Sequence, residues 1–464
     1  MNSNKYNATY KVGLVIIWPL LVAALLCFVY YPGFMSYDSI HALTGAREGV
    51  SDSIWPPMVS YIWWFVDRVS DNPSMMHFAQ VSLLLVAISS LVYSLTKKVS
   101  ASIAFQFVYL SIPVIAGTIT VIWKDVLTAA FLLAGFAIAV AVRKVKRRSL
   151  FYLAITFSFA LIFIGISTRH NSVSAAFPLI IAIAWFIAER IIKQPKRQVF
   201  FALIAGFVIC ISFFGIKTQL DHYSLPTFNQ LGGTEEFFPP IQKLELAGAS
   251  ICSGENLFGN SAPGMTLEEI SKTYDPRHVN LSQGLLSQVK SGKTLNDAWL
   301  KAIQEQPFCF THQHRQMAKY LLGLNFGDQF LITDPGISEN PYGIALQPSS
   351  LRDKLVSATI SNSGLFFLRP WFILMLSTIA IVLVVSFRKC RELFSSRLLI
   401  LGSLYLAGVG YLTGLILFGN AADARLPFFA TTAFMIVSFV IYFELLSELV
   451  RSKINTGSKI GIEQ

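Results

Sequence analysis

Apolar residues come in long unbroken runs along this chain, separated by short polar stretches. In the run Val126–Val142 almost no polar side chain is present. A soluble helix needs a polar face for water, and this run has none to offer, so a lipid surrounding is expected. Reading every such run gives about ten membrane spans. They fall near Val12–Tyr31, Met75–Leu95, Ala101–Thr118, Val126–Val142, Phe151–Ser167 and Ala175–Ala188, then Phe200–Ile216, Phe366–Phe387, Leu398–Phe418 and Pro427–Leu446.

Basic residues cluster in alternate short loops. Lys97 and Lys98 form one group, and Arg143, Lys144, Lys146, Arg147 and Arg148 the next. Arg190, Lys193, Lys196 and Arg197 follow, then Arg388, Lys389, Arg391 and Arg397, then Arg451 and Lys453. The positive-inside rule assigns these loops and both termini to the cytoplasm, and an even number of spans agrees with both ends lying on one side. No cleavable signal peptide is expected, since the first apolar run is long and lacks a small-residue cleavage site. The opposite side then receives Pro32 to about Pro73, short turns at Trp123–Asp125, Thr168–Ser172 and Asn420–Leu426, and the stretch from Lys217 to Asn362. That last stretch is too long for a structureless linker. Helical spacing in Thr266–Thr273, Thr294–Ile303 and His314–Leu322 predicts a small, mostly helical outer domain. The chain divides into 1–216, an N-terminal membrane module, 217–362, the outer domain, and 363–464, a C-terminal membrane module with a tail.

Composition agrees. Of 464 residues 54% are hydrophobic and only 14% charged, against about 25% charged in soluble domains. Mean hydropathy is +0.56. The formal charge of +11 lies in the cytoplasmic loops and does not indicate nucleic acid. Of five cysteines, only Cys252 and Cys309 fall in the outer domain. In an oxidising compartment they are expected to form a disulfide, the alternative being two separate thiols. No zinc spacing is present, and the lack of a phosphate-binding Gly-Lys loop argues against ATP drive. Gly410 and Gly414 read as a helix-packing pair, and His312 and His314 as a wet helix face.

The charges that need explaining lie at the outer ends of spans, where ionisable groups are costly. Asp38 stands in Pro32-Gly-Phe-Met-Ser-Tyr-Asp-Ser39. Beyond it come Trp55-Pro-Pro57 and the aromatic run Tyr61–Val66, too short to span and suited to an interfacial helix. Lys124 and Asp125 sit in one hairpin turn, Arg169, His170 and Asn171 in another, Asp423 and Arg425 in a third. Each has an ordinary explanation alone: a helix cap, a topological anchor, a headgroup contact, an internal ion pair. Four on one face point to a site, and arginines set against the charge bias point to an anionic partner such as a lipid phosphate.

These features resemble the GT-C superfamily of polytopic glycosyltransferases, which use polyprenyl-phosphate sugars, and look closer to a bacterial family with Pro-Gly-x-x-x-x-Asp-Ser and (His/Trp)-Pro-Pro segments. Pro240-Ile-Gln242 and Tyr274-Asp-Pro276 are similar to that family as well. Two positions depart from common patterns: Ser39 follows Asp38 where many members have a second acidic residue, and Trp55 stands where relatives often have His. The resemblance implies an all-α fold in a bacterial inner membrane, with the site facing the periplasm or exterior. It implies sugar transfer from a polyprenyl-phosphate donor to a glycan or lipid acceptor. Asp38, assisted by Asp125, is then the catalytic carboxylate; Lys124, Arg169, His170 and Arg425 bind the donor phosphate; Tyr37, Trp55, Asn171 and Asp423 contact substrate. Whether Mg2+ or Mn2+ bridges Asp38 and Asp125 stays open. The sugar, and whether the acceptor is O-antigen, another wall glycan or a lipid, stay open too. The rival readings are a Wzy-like polysaccharide polymerase or ligase, which relies on outer-loop arginines, a transporter and a scaffold.

Overall fold

The computed structural model describes residues 2–51, 55–222, 229–230, 238–282, 284, 287–325, 327 and 329–460. Among these, eight helices are long and apolar enough to cross a membrane, or ten if each of two bent pairs is one span. The eight cover Tyr10–Val29, Pro73–Thr96, Lys124–Val142, Arg148–Ser167, His170–Ile191, Pro195–Asp221, Leu398–Phe418 and Phe428–Ser452. Outside the helices, a two-residue parallel pairing joins Val50–Ser51 to Asn229–Gln230.

One expected span is not a single helix, and another is followed at its end by a sharp turn. The run Ala101–Thr118 is broken into Val99–Leu110 and Pro113–Ile119, which meet at 88°. Pro113 lacks an N–H and forces the residue before it out of the helical region, and Ile112 is extended with ψ 119°. Carbonyls beyond the break are met by side chains of helix Pro73–Thr96: His77 Nε2 lies 2.9 Å from Ile119 O, and Gln80 Nε2 donates to Val121 O at 2.8 Å. The run Phe366–Phe387 is helical over Pro370–Ser386, and Arg388–Phe394 then turns off by 101°. Elsewhere close contact needs glycine. A Cβ on Gly410 would lie 2.6 Å from the Ser174 carbonyl, and one on Gly414 2.8 Å from Ser174 Oγ. These two therefore are the packing pair between Leu398–Phe418 and Val173–Ile191.

The bundle has two chemically different ends. At one, the basic loops meet: Glu444 takes Lys98 at 3.3 Å and Arg397 at 3.5 Å, and Arg143 pairs with Glu189 at 2.6 Å and reaches Ser396 O at 3.0 Å. Helix Lys124–Val142 runs from that end to the other, so Lys124 stands opposite Arg143. The Trp123–Asp125 turn is correspondingly short, because Lys124 and Asp125 already belong to the helix.

The outer stretch is helical at Phe238–Ser253, Leu267–Thr273, Lys293–Glu305, Pro307–Phe310 and His312–Leu321. Leu246, Phe258, Ile270 and Leu295 form its own core, and Thr266 and Glu269 cap Leu267–Thr273 reciprocally. Cys252 and Cys309 are bonded, with Cα atoms 5.3 Å apart. It is closely tied to the bundle. Helix Pro195–His222 runs through position 217. The segment 330–338 returns to the bundle: Ala424 N donates to Phe330 O at 2.7 Å, Met35 N to Gly336 O at 2.9 Å and Ser338 N to Met35 O at 2.8 Å. His314, expected on a wet face, is half-buried with Nε2 3.3 Å from Glu245. The aromatic run Tyr61–Val66 lies in helix Met58–Asp67, which buries Val59, Trp63 and Val66, and its Asp67 pairs with Arg47 at 2.8 Å.

Candidate active site

Asp38 is in the first turn of a short helix, Tyr37–Glu48, not in a loop. The chain before it is stitched to the end of the broken span: Phe34 N donates to Thr120 O at 3.0 Å and Ile122 N to Phe34 O at 2.9 Å. Ser39 Oγ then donates to Ile122 O at 2.8 Å, and Trp123 Nε1 to Ser36 Oγ at 2.8 Å. These bonds carry Asp38 to the start of helix Lys124–Val142.

Asp38 Oδ2 faces two cations, Arg425 Nη2 at 3.2 Å and Lys124 Nζ at 3.9 Å, and Trp55 Nε1 donates to Oδ1 at 3.4 Å. Burial opposes ionisation of Asp38, but Lys124, Arg425 and the Trp55 hydrogen bond outweigh it and hold the carboxyl well below its usual range. Arg425 lies over the Trp123 ring, 4.3 Å from its centroid, and its Nε donates to Asp423 Oδ2 at 3.1 Å. Burial works against the Arg425 charge, and Asp38 and Asp423 more than restore it.

The turn Thr168–Asn171 arrives through the Gly410–Gly414 packing. Arg169 forms an ion pair with Asp125, which is 1% exposed. His170 Nδ1 is 3.1 Å from Lys217 Nζ and 3.8 Å from Asp221, and Lys217 and Asp221 pair with each other. Four buried atoms here, Asp125 Oδ2, Arg169 Nε, Asp423 Oδ1 and Arg425 Nη1, have no hydrogen-bond partner among the described residues. Such atoms are rare in folded proteins and call for a ligand, water or strain.

All these elements border one open cavity with about 1990 Å³ of empty space. Tyr37, Asp38, Trp55, Lys124, Arg169, His170, Asn171, Asp423 and Arg425 line it, so nine of the residues singled out in the sequence converge there. Asp125 does not line it; its carboxylate is turned into Arg169. Cys252 and Cys309 lie in the outer stretch. A narrow side pocket adjoins it at Asp38 and Lys124, with His41 and Trp55 in its wall and their rings 4.3 Å apart.

The donor set does not suit a divalent cation shared by Asp38 and Asp125. Asp38 is held by Lys124 and Arg425, Asp125 is held through one oxygen by Arg169, and no three His, Cys, Asp or Glu side chains among the described residues group around a common point.

Sequence reasoning passed over Ser36, Trp123, His278 and Asp334, which also line the cavity. Trp123 opens the expected turn with Lys124 and Asp125 but carried no assigned role there. Asp334 lies in Thr333-Asp-Pro-Gly336, a turn signature in mixed sequence with nothing to tell it from a solvated loop. The outer stretch closes on the site through Val279 N to Asn420 O at 2.9 Å and Ala422 N to Arg277 O at 2.6 Å, on either side of Ala421. No family model, no curated protein and no solved structure matches this chain.

Proposed function

We propose that this protein is a glycosyltransferase of the bacterial inner membrane, with both termini in the cytoplasm and the cavity on the extracytoplasmic face. It moves a sugar from a polyprenyl-phosphate donor to a glycan or lipid acceptor. The observation that carries this reading is the convergence of Lys124, Arg169 and Arg425, from three separate turns, on one cavity with Asp38. Cations at the outer ends of spans suit a lipid-borne phosphate, and a carboxylate beside them suits a hydroxyl that must lose a proton.

In the proposed step the acceptor oxygen bonds to the anomeric carbon as the carbon–oxygen bond to phosphate breaks. The electron pair leaves on polyprenyl phosphate, and the hydroxyl proton passes to Asp38. One displacement inverts the anomeric carbon. Clamped by Lys124 and Arg425, Asp38 is a weak base. Donor phosphate draws both cations to itself, and the proton affinity of Asp38 rises as they turn away. The base is thereby armed only when donor is present. Trp55 and Tyr37, beside Asp38, offer the sugar an aromatic face. A Wzy-like polymerase would use the same arginines without needing Asp38, so that residue discriminates the two.

The test uses full-length protein in nanodiscs. Undecaprenyl phosphate is expected to bind wild type, and at least ~10-fold more weakly to Arg169→Gln and Lys124→Gln, while Lys144→Gln, at the opposite end, binds normally. With undecaprenyl-phosphate-linked sugars tritiated in the sugar, Asp38→Asn is expected to cut transfer at least ~100-fold. Absent lipid-phosphate binding by wild type, or near wild-type transfer by Asp38→Asn, the reading fails.

A further inference from the structure

Among the described residues, every carboxylate at the cavity is committed to a cation except one. Asp38 belongs to Lys124 and Arg425, Asp423 to Arg425, and Asp125 behind the wall to Arg169. Asp334 lines the same cavity, and no ion pair or hydrogen bond to its side chain is found among the described residues. We propose that Asp334 holds the acceptor, accepting hydrogen bonds from two neighbouring hydroxyls of a carbohydrate so that the attacking oxygen faces the donor.

The backbone on either side of Asp334 is pinned to the elements that carry the rest of the site. Thr118 Oγ1 donates to Ile332 O at 3.4 Å, and Thr333 Oγ1 lies 3.3 Å from Thr120 Oγ1. A Cβ on Gly117 would fall 2.7 Å from Ile332 O, so the broken span leaves room for this segment by having glycine there. Gly336 is bonded to Met35, three residues before Asp38, and Phe330 to Ala424, one residue before Arg425. Asp334 is thus set relative to both ends of the Asp38–Arg425 pair. Leu331, also in the cavity wall, has φ 53°, a left-handed conformation that a leucine adopts only when its surroundings impose it.

Half-burial strips part of the water from the Asp334 carboxylate, and no donor among the described residues offsets that loss. Burial raises the Asp334 carboxyl above its usual range; Arg425 pulls it back, while Asp38 and Asp423 push it further up. A second phosphate is the wrong guest for such a group. A carbohydrate, rich in hydroxyl donors and uncharged there, is the right one, and paired hydroxyls match the two oxygens of a carboxylate. This places the phosphate on the cationic wall and the acceptor on the wall built by the outer stretch.

The assignment rests on the proposed transfer, and the experiment separates the two. Full-length protein in nanodiscs receives a panel of tritiated undecaprenyl-phosphate-linked sugars, with envelope glycan extracted from the source membrane as acceptor. Label reaching the glycan and label released to water are counted apart. Asp334→Asn is expected to raise the half-saturating amount of glycan at least tenfold. Its release of label to water and its binding of undecaprenyl phosphate are expected to stay within about twofold of wild type, while its maximal transfer rate falls with the lost orientation. Asp334→Glu is expected to recover part of the acceptor affinity. Unchanged half-saturation in Asp334→Asn, or a matching loss of lipid-phosphate binding, overturns the acceptor role while leaving the transfer reading intact. Wild type that transfers label from no donor overturns both.

Discussion

Glu245 and His314 show how burial couples two titratable groups outside the membrane spans. His314 Nδ1 is 3.0 Å from Ile416 O and donates to it, which leaves a bare Nε2 facing Glu245 Oε1 at 3.3 Å. Trp299 Nε1 donates to the other Glu245 oxygen at 2.5 Å. Burial pushes the Glu245 carboxyl up to about 7, with the Trp299 bond pulling the other way, and burial lowers His314. Below about 7 Glu245 keeps its proton and can donate it to Nε2. An unfolded chain loses the Glu245 proton near 4.5, so the folded state holds an extra proton between there and about 7. The stability Glu245 contributes is therefore full below about 4.5 and declines as pH rises through 7. Glu245→Gln keeps an acceptor for Trp299 and a donor for His314 without titrating. Between pH 5.5 and 8 the wild-type melting temperature is expected to fall by roughly 2 °C or more relative to the variant. A constant difference across that window would show that Glu245 is ionised throughout. Neither Glu245 nor Asp334 was visible in the sequence, because both sit in mixed polar stretches where a carboxylate is ordinary. Asp38, Lys124, Arg169 and Arg425 were visible because charge at the end of an apolar run is costly wherever the chain folds.

Among the elements, the pairing of Leu398–Phe418 with Val173–Ile191 decides where two of the site's turns go. The turns 168–171 and 420–425 lie at the ends of these helices, and Gly410 and Gly414 set how near they come. Gly410→Val places a side chain into the Ser174 carbonyl, 2.6 Å from its first carbon. Such overpacking is expected to cost about 1–3 kcal/mol in thermal melts and to weaken undecaprenyl-phosphate binding as Arg169 shifts. Gly13→Val, where nothing lies within 4 Å, is the control and is expected to change neither. Equal behaviour of the two variants would remove the glycine pair from the account. The small-xxx-small spacing was legible in the sequence; its partner was not, since any helix face with room would serve. Pro113 was legible as well, and should have divided the run Ala101–Thr118. Apolar length alone hid the break, because a bent pair buried in protein needs no more polar residues than a straight span once His77 and Gln80 satisfy its carbonyls.

Taken whole, the molecule is a helical bundle whose basic end is tied by Glu444 and Glu189 and whose other end is an open cavity roofed by the outer stretch. That roof is fastened by the Cys252–Cys309 bond, which closes a loop of 57 positions. By the chain-entropy account such a link contributes about 4 kcal/mol to the part it encloses. The Cys252→Ser, Cys309→Ser double variant is expected to be cut by a protease between 253 and 308 at least ~10-fold faster, with the membrane helices left intact. An unchanged cleavage rate would mean that the Leu246, Phe258, Ile270 and Leu295 core holds the roof unaided. By itself the sequence determined that the chain is a multi-pass helical membrane protein, how many crossings to look for, and which cationic turns share a side, because hydrophobic length and charge placement are local properties that lipid reads directly. Tertiary structure decided that those turns meet in one cavity, that Asp125 is spent on Arg169 while Asp38 bridges Lys124 and Arg425, and that Asp334 returns from a distant segment to stand beside them. Distances between residues far apart in the chain depend on how helices pack, and packing is set by shape across the whole bundle rather than by any run within it.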